Sequence, residues 1–532
     1  MLYLNDSGLA MRQDWLDKGY SLPAFDRRKM IAYTKKSPVW IHFGAGNIFR
    51  ALQCAGMQKL LDQGLADAGI IAVEGFDYEI IEKGYRPFDN LSLLVTLKAD
   101  GQVQKTVLAS VAESCILDSR NESEFNHLKE IFASPSLQMA SFTITEKGYK
   151  LHDAEGELLQ AVASDFEAGP QKPQSYLGKV AGLLFARYRA GAFPLAMVSM
   201  DNCSHNGEKL FEAVHAFAAA WKDPGFLAYI SDPSSVSFPC TMIDKITPRP
   251  NPSVEELLKE DGLQNLDPVV TRMNTYIAPF VNAEESEYLV IEDNFPNGRP
   301  PLETAGFLFT DRETVNVAER MKVTTCLNPL HTALAVFGCL LGYTRICEEM
   351  KDEDLVRLIK IIGYREGLPV VNDPGILSPK DFLDTVVHVR LPNPYMPDSP
   401  QRIACDTSQK IPIRFGETIK SYLADPARDV SSLQAIPLVI AGWFRYLLGV
   451  DDQGQPFTVS PDPLLPRIQK HFSKIRFGHP DTVGSILDPL LKDEELFGVS
   501  LRNTPLESRI KQAFSEMLTG KGAVRKVLQN LK

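Results

Sequence analysis

The 532-residue chain lacks any long block of basic residues. Its 56 lysines and arginines are outnumbered by 67 aspartates and glutamates, and the formal net charge is −11. A nucleic acid partner requires clustered cations that neutralise its phosphates. We therefore expect no nucleic acid partner, and we expect the ligands to be small molecules.

The chain is also poor in cysteine and in long apolar runs. Its eight cysteines contain no C-x-x-C pair, so reduced thiols are expected rather than a disulfide framework. The first 36 residues have no apolar core of the kind that a signal peptide needs. The longest apolar runs, such as 332–341 and 435–443, are shorter than the 18 residues that span a bilayer. These absences predict a cytoplasmic protein without a membrane partner.

The order of the segments predicts an α/β protein of two domains. The length exceeds what one hydrophobic core usually serves. The first half alternates strand-like and helix-like segments, which is typical of a mostly parallel sheet with helices on both faces. It includes a hairpin candidate that turns at Asp100-Gly101. Helical periodicity dominates after the loop "PNGRPPLE", so we place the domain boundary near residue 305.

The stretch "VWIHFGAGNIFRALQ" is typical of a strand, a glycine turn and a helix. Gly44 and Gly46 would let the backbone approach a pyrophosphate, whose charge the helix N-terminus attracts. Phe49 stands where a dinucleotide fingerprint has its third glycine. The helix must therefore lie further from the strand, or the ring must fill the gap. A purely structural turn is the alternative.

An acidic residue after the next strand would bind the adenosine ribose and repel a 2′-phosphate, which favours NAD over NADP. Asp77 is the first candidate and Glu74 is the second. Asp77 lies 31 residues after Gly46, further than the usual interval of about 20. The alternative is a solvated acid in a loop.

The segment "ERMKVTTCLNPLHTALA" places Lys322, Asn328 and His331 within an otherwise largely apolar stretch. Asn328 and His331 are three residues apart, which places them on one face of a helix. A buried lysine has a lowered pKa and becomes a base near neutral pH. The alternative is a lysine whose amine reaches solvent from a helix end.

A second polar cluster, "SMDNCSHNG", places Asp201 and Asn202 at the carboxyl end of a strand, where open α/β sheets bind ligands. The carboxamides of Asn202 and Asn328 would donate hydrogen bonds to one substrate oxygen. With Lys322 as base, this set suits alcohol oxidation by hydride transfer and needs no metal.

The chain resembles the polyol-specific long-chain dehydrogenases. The resemblance covers most of the chain through eight segments in the family's order: "LPAFDRRKM", "HFGAGNIFRA", "TITEKGY", "SMDNCSHNG", "FPCTMIDKITP", "VIEDNFPNGRP", "KVTTCLNPLHTALA" and "NPYMPDSPQRIACDTSQKIP". It implies a Rossmann-type NAD-binding domain over residues 1–305 and a mostly helical substrate-binding domain over 306–532. It also implies NAD as cofactor, no metal, and a substrate bound between the domains.

The resemblance further implies roles for single residues. Lys322 would be the general base, Asn202 and Asn328 the donors to the substrate oxygen, and His331 a ligand of a substrate hydroxyl. Glu319 would relay protons to solvent, and Asp244 would lie near the substrate. The glycine turn would be the family's variant fingerprint, formed by Gly44, Gly46, Asn47, Ile48, Phe49 and Arg50.

One spacing departs from the family. The asparagine and histidine usually follow the lysine by five and eight residues, whereas here they follow by six and nine. An added residue turns a helix by about 100°. Either Lys322 precedes the regular helix, or a π-bulge absorbs the insertion.

The substrate is expected to be an open-chain sugar acid, since the segments "TITEKGY" and "NPLHTALA" look closer to the uronate reductases than to the mannitol enzymes. D-Fructuronate reduction to D-mannonate is the first interpretation, with mannitol 2-dehydrogenase or tagaturonate reductase activity as alternatives. A carboxylate needs a cation, and the candidates are Arg390, Arg402 and Lys410, each of which also suits a structural ion pair.

Two further hypotheses are a non-catalytic NAD-binding sensor and a zinc alcohol dehydrogenase with Cys203 and His205 as ligands. The spacing of these two residues makes the zinc hypothesis the weaker one. The oligomeric state, monomer or small homo-oligomer, is left open.

Overall fold

The structure, a computed structural model, describes all residues from Met1 to Lys532. The chain divides into two compact units. The α/β unit comprises Met1–Lys98 and Gln102–Asn316, and the helical unit comprises Ala99–Gly101 and Val317–Lys532. The main division thus falls between Asn316 and Val317, within a helix, somewhat later than the loop near residue 305 chosen from the sequence.

The α/β unit contains all fifteen strands, and only the turn of one hairpin, Ala99–Gly101, belongs to the helical unit. The strands are β1 Tyr20–Ser21, β2 Trp40–Phe43, β3 Ile70–Glu74, β4 Ser92–Leu97, β5 Val103–Leu108, β6 Val111–Ile116, β7 Met139–Phe142, β8 Leu195–Ser199, β9 Val236–Ser237, β10 Thr241–Asp244, β11 Val269–Val270, β12 Tyr276–Ile277, β13 Phe280–Glu284, β14 Tyr288–Glu292 and β15 Leu308–Thr310.

Six of these strands form one parallel sheet in the order β6-β3-β2-β7-β8-β9. The chain starts in the middle at β2, builds one half outward through β3 and β6, and then crosses to β7 for the other half. This is the strand order of a Rossmann fold, with its switch point between β2 and β7. The predicted α/β class and the Rossmann-type domain are confirmed.

The faces of this sheet follow from the alternation of side chains along each strand. On β2, Ile41 and Phe43 join one buried apolar cluster, which also contains Leu128 and Phe132. Trp40 joins the cluster on the opposite face, with Phe49 and Met57 among its other members. Both faces of the sheet are therefore covered, as expected of parallel strands that are largely apolar.

The helices of the α/β unit are α1 Asp6–Leu9, α2 Arg12–Leu16, α3 Arg27–Lys36, α4 Ala55–Asp62, α5 Glu79–Gly84, α6 Glu122–Ala133, α7 Thr145–Gly148, α8 Gln160–Ala168, α9 Tyr176–Gly191, α10 Asn206–Ala220, α11 Pro224–Ser231 and α12 Pro252–Glu260. Helix α13, Arg312–Met321, runs across the division between the units.

Two smaller mixed sheets accompany the parallel sheet in this unit. The predicted hairpin is confirmed, since β4 and β5 pair antiparallel and Lys98 N donates to Gln102 O across the turn. The hairpin lies in a four-stranded sheet, β1-β5-β4-β13. A three-stranded sheet has the order β10-β14-β15.

The helical unit contains α14 Asn328–Leu341, α15 Ile346–Glu349, α16 Glu353–Lys360, α17 Pro379–Thr385, α18 Pro400–Ile403, α19 Thr407–Ile411, α20 Glu417–Ala424, α21 Ala435–Tyr446, α22 Leu465–Gln469, α23 Asp488–Leu491, α24 Glu494–Phe497, α25 Pro505–Met517 and α26 Ala523–Gln529. Its core is built on α21, every residue of which is buried, packed against α14 and α25. The predicted helical second half is therefore confirmed.

Five π-helical segments interrupt the α-helices. They are π1 Phe49–Cys54, π2 Lys322–Cys326, π3 Ile361–Gly367, π4 Val386–Arg390 and π5 Pro412–Gly416. Such segments are rare in proteins and are frequent at functional sites. Four of the five lie in the helical unit, where π2 packs against both π3 and π5.

The helical run Arg312–Leu341, which comprises α13, π2 and α14, is long and apolar enough to cross a membrane by length and composition alone. In the structure 83% of its apolar window is buried within the protein. Core helices of soluble proteins pass the same test.

Candidate functional site

The glycine turn follows β2 and leads into π1. Gly44 has φ +102, and a Cβ atom there would lie 2.1 Å from the carbonyl oxygen of Thr143, so the fold admits only glycine. At Gly46, by contrast, a Cβ atom would meet nothing within 4 Å. Packing therefore requires the first glycine, whereas the second keeps a space open.

Phe49 is fully buried and lies at the start of π1. Its ring stacks on the imidazole of His42 with centroids 4.2 Å apart and planes 6° apart. His42 in turn contacts Ser141 Oγ through Nδ1 (2.6 Å) and Thr143 Oγ1 through Nε2 (2.9 Å). Burial lowers the pKa of His42 to about 3, so the ring is neutral. Of the two predicted alternatives, the ring that fills the gap between helix and strand is the one observed.

A cavity of about 630 Å³ opens beside this turn, within the α/β unit. Its walls include Gly44 and Gly46, the end of β3 and the loop after β7. These elements meet at the carboxyl ends of parallel strands beside the switch point, where Rossmann folds bind their dinucleotides.

Glu74, the last residue of β3, joins the glycine turn to the next loop. Its Oε2 accepts a hydrogen bond from Ala45 N (3.1 Å), and its Oε1 accepts from the N–H groups of Gly75 (3.0 Å), Phe76 (2.9 Å) and Asp77 (3.3 Å). Burial raises the pKa of Glu74, although these four donors act in the opposite sense. The carboxylate thus fixes the shape of the cavity wall.

Asp77 lies on the same wall and is only 2% exposed. Its Oδ2 accepts a hydrogen bond from Thr271 Oγ1 at 2.6 Å. Glu74 is 6% exposed. The alternative of a solvated acid in a loop is therefore wrong for both residues, because each carboxylate is held inside the cavity wall.

The other residues of the turn support its shape. Arg50 is buried and donates to Ala278 O (2.8 Å) and to Asn47 Oδ1 (2.7 Å), so it ties the helix start to a distant loop. Burial lowers its pKa. Ile48, half-buried, precedes π1.

The loop after β7 is held by Asp201. This carboxylate accepts hydrogen bonds from Ile144 N (2.9 Å), Thr145 N (2.8 Å) and the Tyr149 hydroxyl (2.5 Å). Thr145, a cavity residue, has φ +64, which is unusual for a β-branched side chain. Asp201 therefore stabilises a strained loop at the cavity, a role that the sequence analysis did not assign. Asn202, the next residue, is exposed.

In the helical unit, Lys322 opens π2 and is only 3% exposed. The alternative of a lysine that reaches solvent from a helix end is therefore wrong. Asn328 begins α14, and His331 lies one turn later on the same helix. Of the two explanations for the extra residue before Asn328, the π-bulge is confirmed. Glu319, half-buried, lies one turn before Lys322 on α13.

An acidic residue lies close to His331. Its Nε2 lies 3.3 Å from Asp398 Oδ2, although without the angles of a hydrogen bond. Asp398 is also paired with Arg402. Burial alone would raise the pKa of Asp398, but His331 and Arg402 bring it below its usual value.

The predicted carboxylate-binding cations differ in their surroundings. Arg402 is largely exposed and already paired with Asp398. Lys410 donates to the carbonyl oxygens of Ile403 (3.1 Å) and Cys405 (2.5 Å). Arg390, the last residue of π4, is buried. A further cation, Arg414, lies one turn after Lys410 and beyond the last segment that carries the family resemblance.

Residues 39–304 match the mannitol dehydrogenase Rossmann domain, and residues 315–518 match the mannitol dehydrogenase C-terminal domain. The chain belongs to the mannitol dehydrogenase family. A D-mannonate oxidoreductase of Thermotoga maritima is 50% identical over 99% of this chain and 98% of its own. A D-mannonate oxidoreductase of Escherichia coli is 30% identical over 81% of this chain and 84% of its own.

Among solved structures, the mannitol 2-dehydrogenase of Pseudomonas fluorescens, in ternary complex with NAD and D-mannitol, is 28% identical. The match covers 100% of this chain and 99% of that one, with a TM-score of 0.69. Membership of the mannitol dehydrogenase family therefore extends over both units.

One other predicted residue lies elsewhere in the α/β unit. Asp244 is buried at the end of β10. The neighbouring Lys245 donates to Glu284 O (2.7 Å) and forms an ion pair with Glu287 (3.1 Å).

The residues proposed for a zinc site do not form a ligand cluster. Cys203 is partly buried, and His205 is exposed with its Nδ1 3.4 Å from Glu208. The group of three metal-type donors that the structure brings together is Glu113, Cys115 and His127, which includes neither of them. All eight cysteines are free thiols.

Proposed function

We propose that this protein is a NAD-dependent oxidoreductase that interconverts D-fructuronate and D-mannonate. The observation that carries the proposal is the 50% identity, over nearly the whole of both chains, to a protein named D-mannonate oxidoreductase. The buried Lys322, with the half-buried Asn328 and His331 at the start of α14, supplies the side chains that such a reaction needs.

The cavity in the α/β unit fits NAD. Gly46 leaves space at the helix start where a pyrophosphate would lie, and the wall carries two buried acids, Glu74 and Asp77. Acids at this position bind ribose hydroxyls and repel a 2′-phosphate. NAD, when bound, accepts or supplies the hydride.

The residues of the chain handle the proton and the oxygen. In the oxidation direction, the Lys322 amine takes the hydroxyl proton as the carbinol C–H bond gives up its hydride. Asn328 and Asn202 donate hydrogen bonds to the oxygen on which negative charge develops. His331, which lies beside Asp398, binds a substrate hydroxyl, and Glu319 relays the proton from Lys322. In reduction, the protonated Lys322 returns the proton to the same oxygen.

NADH consumption with D-fructuronate, D-tagaturonate and D-fructose side by side tests the substrate. We expect D-fructuronate to give the highest kcat/KM. Preference for D-fructose or D-tagaturonate would replace the proposed substrate by one of the two alternatives within the family. Tight NADH binding with no turnover of any of the three would indicate a sensor.

The role of Lys322 is tested by Lys322→Ala. General acid–base groups contribute about 10²- to 10⁴-fold, so turnover should fall by that factor. In reduction, wild-type activity should decline as the pH rises and the amine loses its proton, and this dependence should vanish in the variant. Lys351→Ala, which removes a surface ion pair with Glu348, is the control. Near-normal turnover in Lys322→Ala would reject the assignment.

We further propose that the protein acts in the cytoplasm as a monomer or small homo-oligomer, without a nucleic acid or membrane partner. The net charge of −11 supports this proposal, because it keeps a protein soluble and disfavours binding to anionic nucleic acids and membranes. Light scattering of the purified protein, together with fractionation of cells that express it, tests the proposal. Recovery with membranes would contradict it.

A further inference from the structure

A cation lies beside the start of α14 without an acidic partner of its own. Arg414 is partly buried in π5, which packs against both π2 and α14. Its Nη1 donates to Thr332 Oγ1 at 2.6 Å and lies 3.5 Å from Asn328 O. Both acceptors are neutral. Burial lowers the pKa of Arg414 to about 10, and no neighbouring acid opposes that shift.

A second cation lies one turn away. Lys410 is held by two backbone carbonyl groups, and burial, followed by the charge of Arg414, lowers its pKa. Asp406 acts on Lys410 in the opposite sense. Arg402 also repels Lys410, but Asp398 already pairs with it. Of these three cations, Arg414 is therefore the one on which no acidic residue acts.

A partly desolvated charge without a counter-ion costs free energy, so folded proteins usually pair such groups. Arg414 departs from this rule. It lies next to Asn328, which the proposed function uses as a hydrogen-bond donor to the substrate oxygen. Asn328 and Thr332, the two contacts of Arg414, are four residues apart and lie on one face of α14. His331 is on the adjoining turn.

We propose that Arg414, assisted by Lys410, is the binding subsite for the carboxylate of the substrate, and that it makes the site selective for sugar acids over neutral polyols. This inference rests on the proposed function. The planar guanidinium of arginine presents paired N–H donors that match a carboxylate in bidentate geometry. The carboxylate of an open-chain hexuronate is a few bonds from its keto carbon, so one substrate can contact both Asn328 and Arg414. The carboxylate-binding role is thereby assigned to Arg414 and not to Arg402, the candidate from the sequence, because Arg402 already forms an ion pair with Asp398.

The test is steady-state reduction of D-fructuronate and D-fructose by the full-length wild type, Arg414→Met and Arg414→Lys. Loss of a charge-assisted bidentate contact should lower kcat/KM for D-fructuronate on the order of 100-fold, mainly through KM. We expect kcat/KM of Arg414→Met for D-fructose to change by less than about threefold. For D-fructuronate, kcat/KM of Arg414→Lys should lie between those of the wild type and Arg414→Met. Arg467→Met, which removes a surface ion pair with Asp493 and Glu495, is the matched control.

NADH affinity and thermal unfolding of each variant separate a binding defect from misfolding. If Arg414→Met is unfolded, the same kcat/KM comparison of D-fructuronate with D-fructose in Arg414→Lys and Lys410→Met tests the proposal. If D-fructose is not reduced measurably, D-mannonate and D-mannitol are compared as inhibitors, and only inhibition by D-mannonate should weaken in the variants.

Equal losses with charged and neutral ligands, or no loss with D-fructuronate, would overturn the subsite while leaving the proposed function intact. A wild type that reduces no hexuronate would overturn the proposed function, and this inference with it.

Discussion

Glu349 lies in the core of the helical unit with both carboxyl oxygens buried and without hydrogen-bond partners. It packs against Gly338 of α14, where a Cβ atom would come within 2.2 Å of Glu349 Oε1. Burial, and secondarily the negative charge of Asp352, raises the pKa of Glu349 from 4.5 to about 9. The folded protein therefore holds this side chain protonated at neutral pH, whereas the unfolded chain ionises it.

The sign of the effect follows from proton binding. Between pH 4.5 and about 9 the folded state binds one proton more than the unfolded state, so this group lowers stability as the pH rises. At pH 7 the pH is 2.5 units above the ordinary pKa of 4.5. At about 1.36 kcal/mol per unit, the free energy of unfolding is lowered by about 3 kcal/mol. Glu349→Gln, which is neutral at every pH, removes that cost.

We therefore expect Glu349→Gln to stabilise the helical unit by about 3 kcal/mol at pH 7, which is roughly 6–12 °C in Tm. The gain should shrink towards zero near pH 4.5 and level off above pH 9. Differential scanning calorimetry of the wild type and the variant between pH 5 and 9 measures it. Glu348→Gln, at an ion-paired neighbour, is the control. A gain that does not change with pH, or no gain at pH 7, would refute the argument.

Two further predictions concern the glycine turn. Gly46→Ala should fold with an unchanged Tm, because its Cβ atom meets no protein atom, yet it should weaken NADH binding at least about tenfold in a fluorescence titration. Unaltered affinity would mean that the cofactor does not approach this turn. Phe49→Ala should cost about 3–5 kcal/mol in urea-induced unfolding, because it removes a fully buried ring that stacks on His42. A cost below about 1 kcal/mol would show that the surrounding residues collapse into the gap.

Much of the α/β unit was predictable because its signals are local. A largely apolar strand such as 40–43 and the turn at Asp100-Gly101 each specify their own geometry. The four-stranded sheet was not predictable in the same way. It pairs β13 with β4, which are far apart in sequence, and no local pattern indicates that partnership.

The candidate site shows the same contrast. The types and order of Lys322, Asn328 and His331 were visible in the sequence, and so was the irregular spacing that π2 explains. The role of Asp201 and the role proposed for Arg414 were not visible, because each depends on a partner brought close only by folding. Asp201 needs the N–H groups of Ile144 and Thr145, and Arg414 needs Thr332.

The wide turn at π2 also bears on how such chains diverge. A π segment accommodates one residue more than an α-helix of the same span, so an insertion there leaves the flanking helices in phase. Losing one residue from 323–326 would restore an ordinary α-helical path while Lys322 still precedes Asn328 on the same helical run. An alignment of this region should therefore open its gap inside the helix, where gaps are usually penalised, and not in the neighbouring loops.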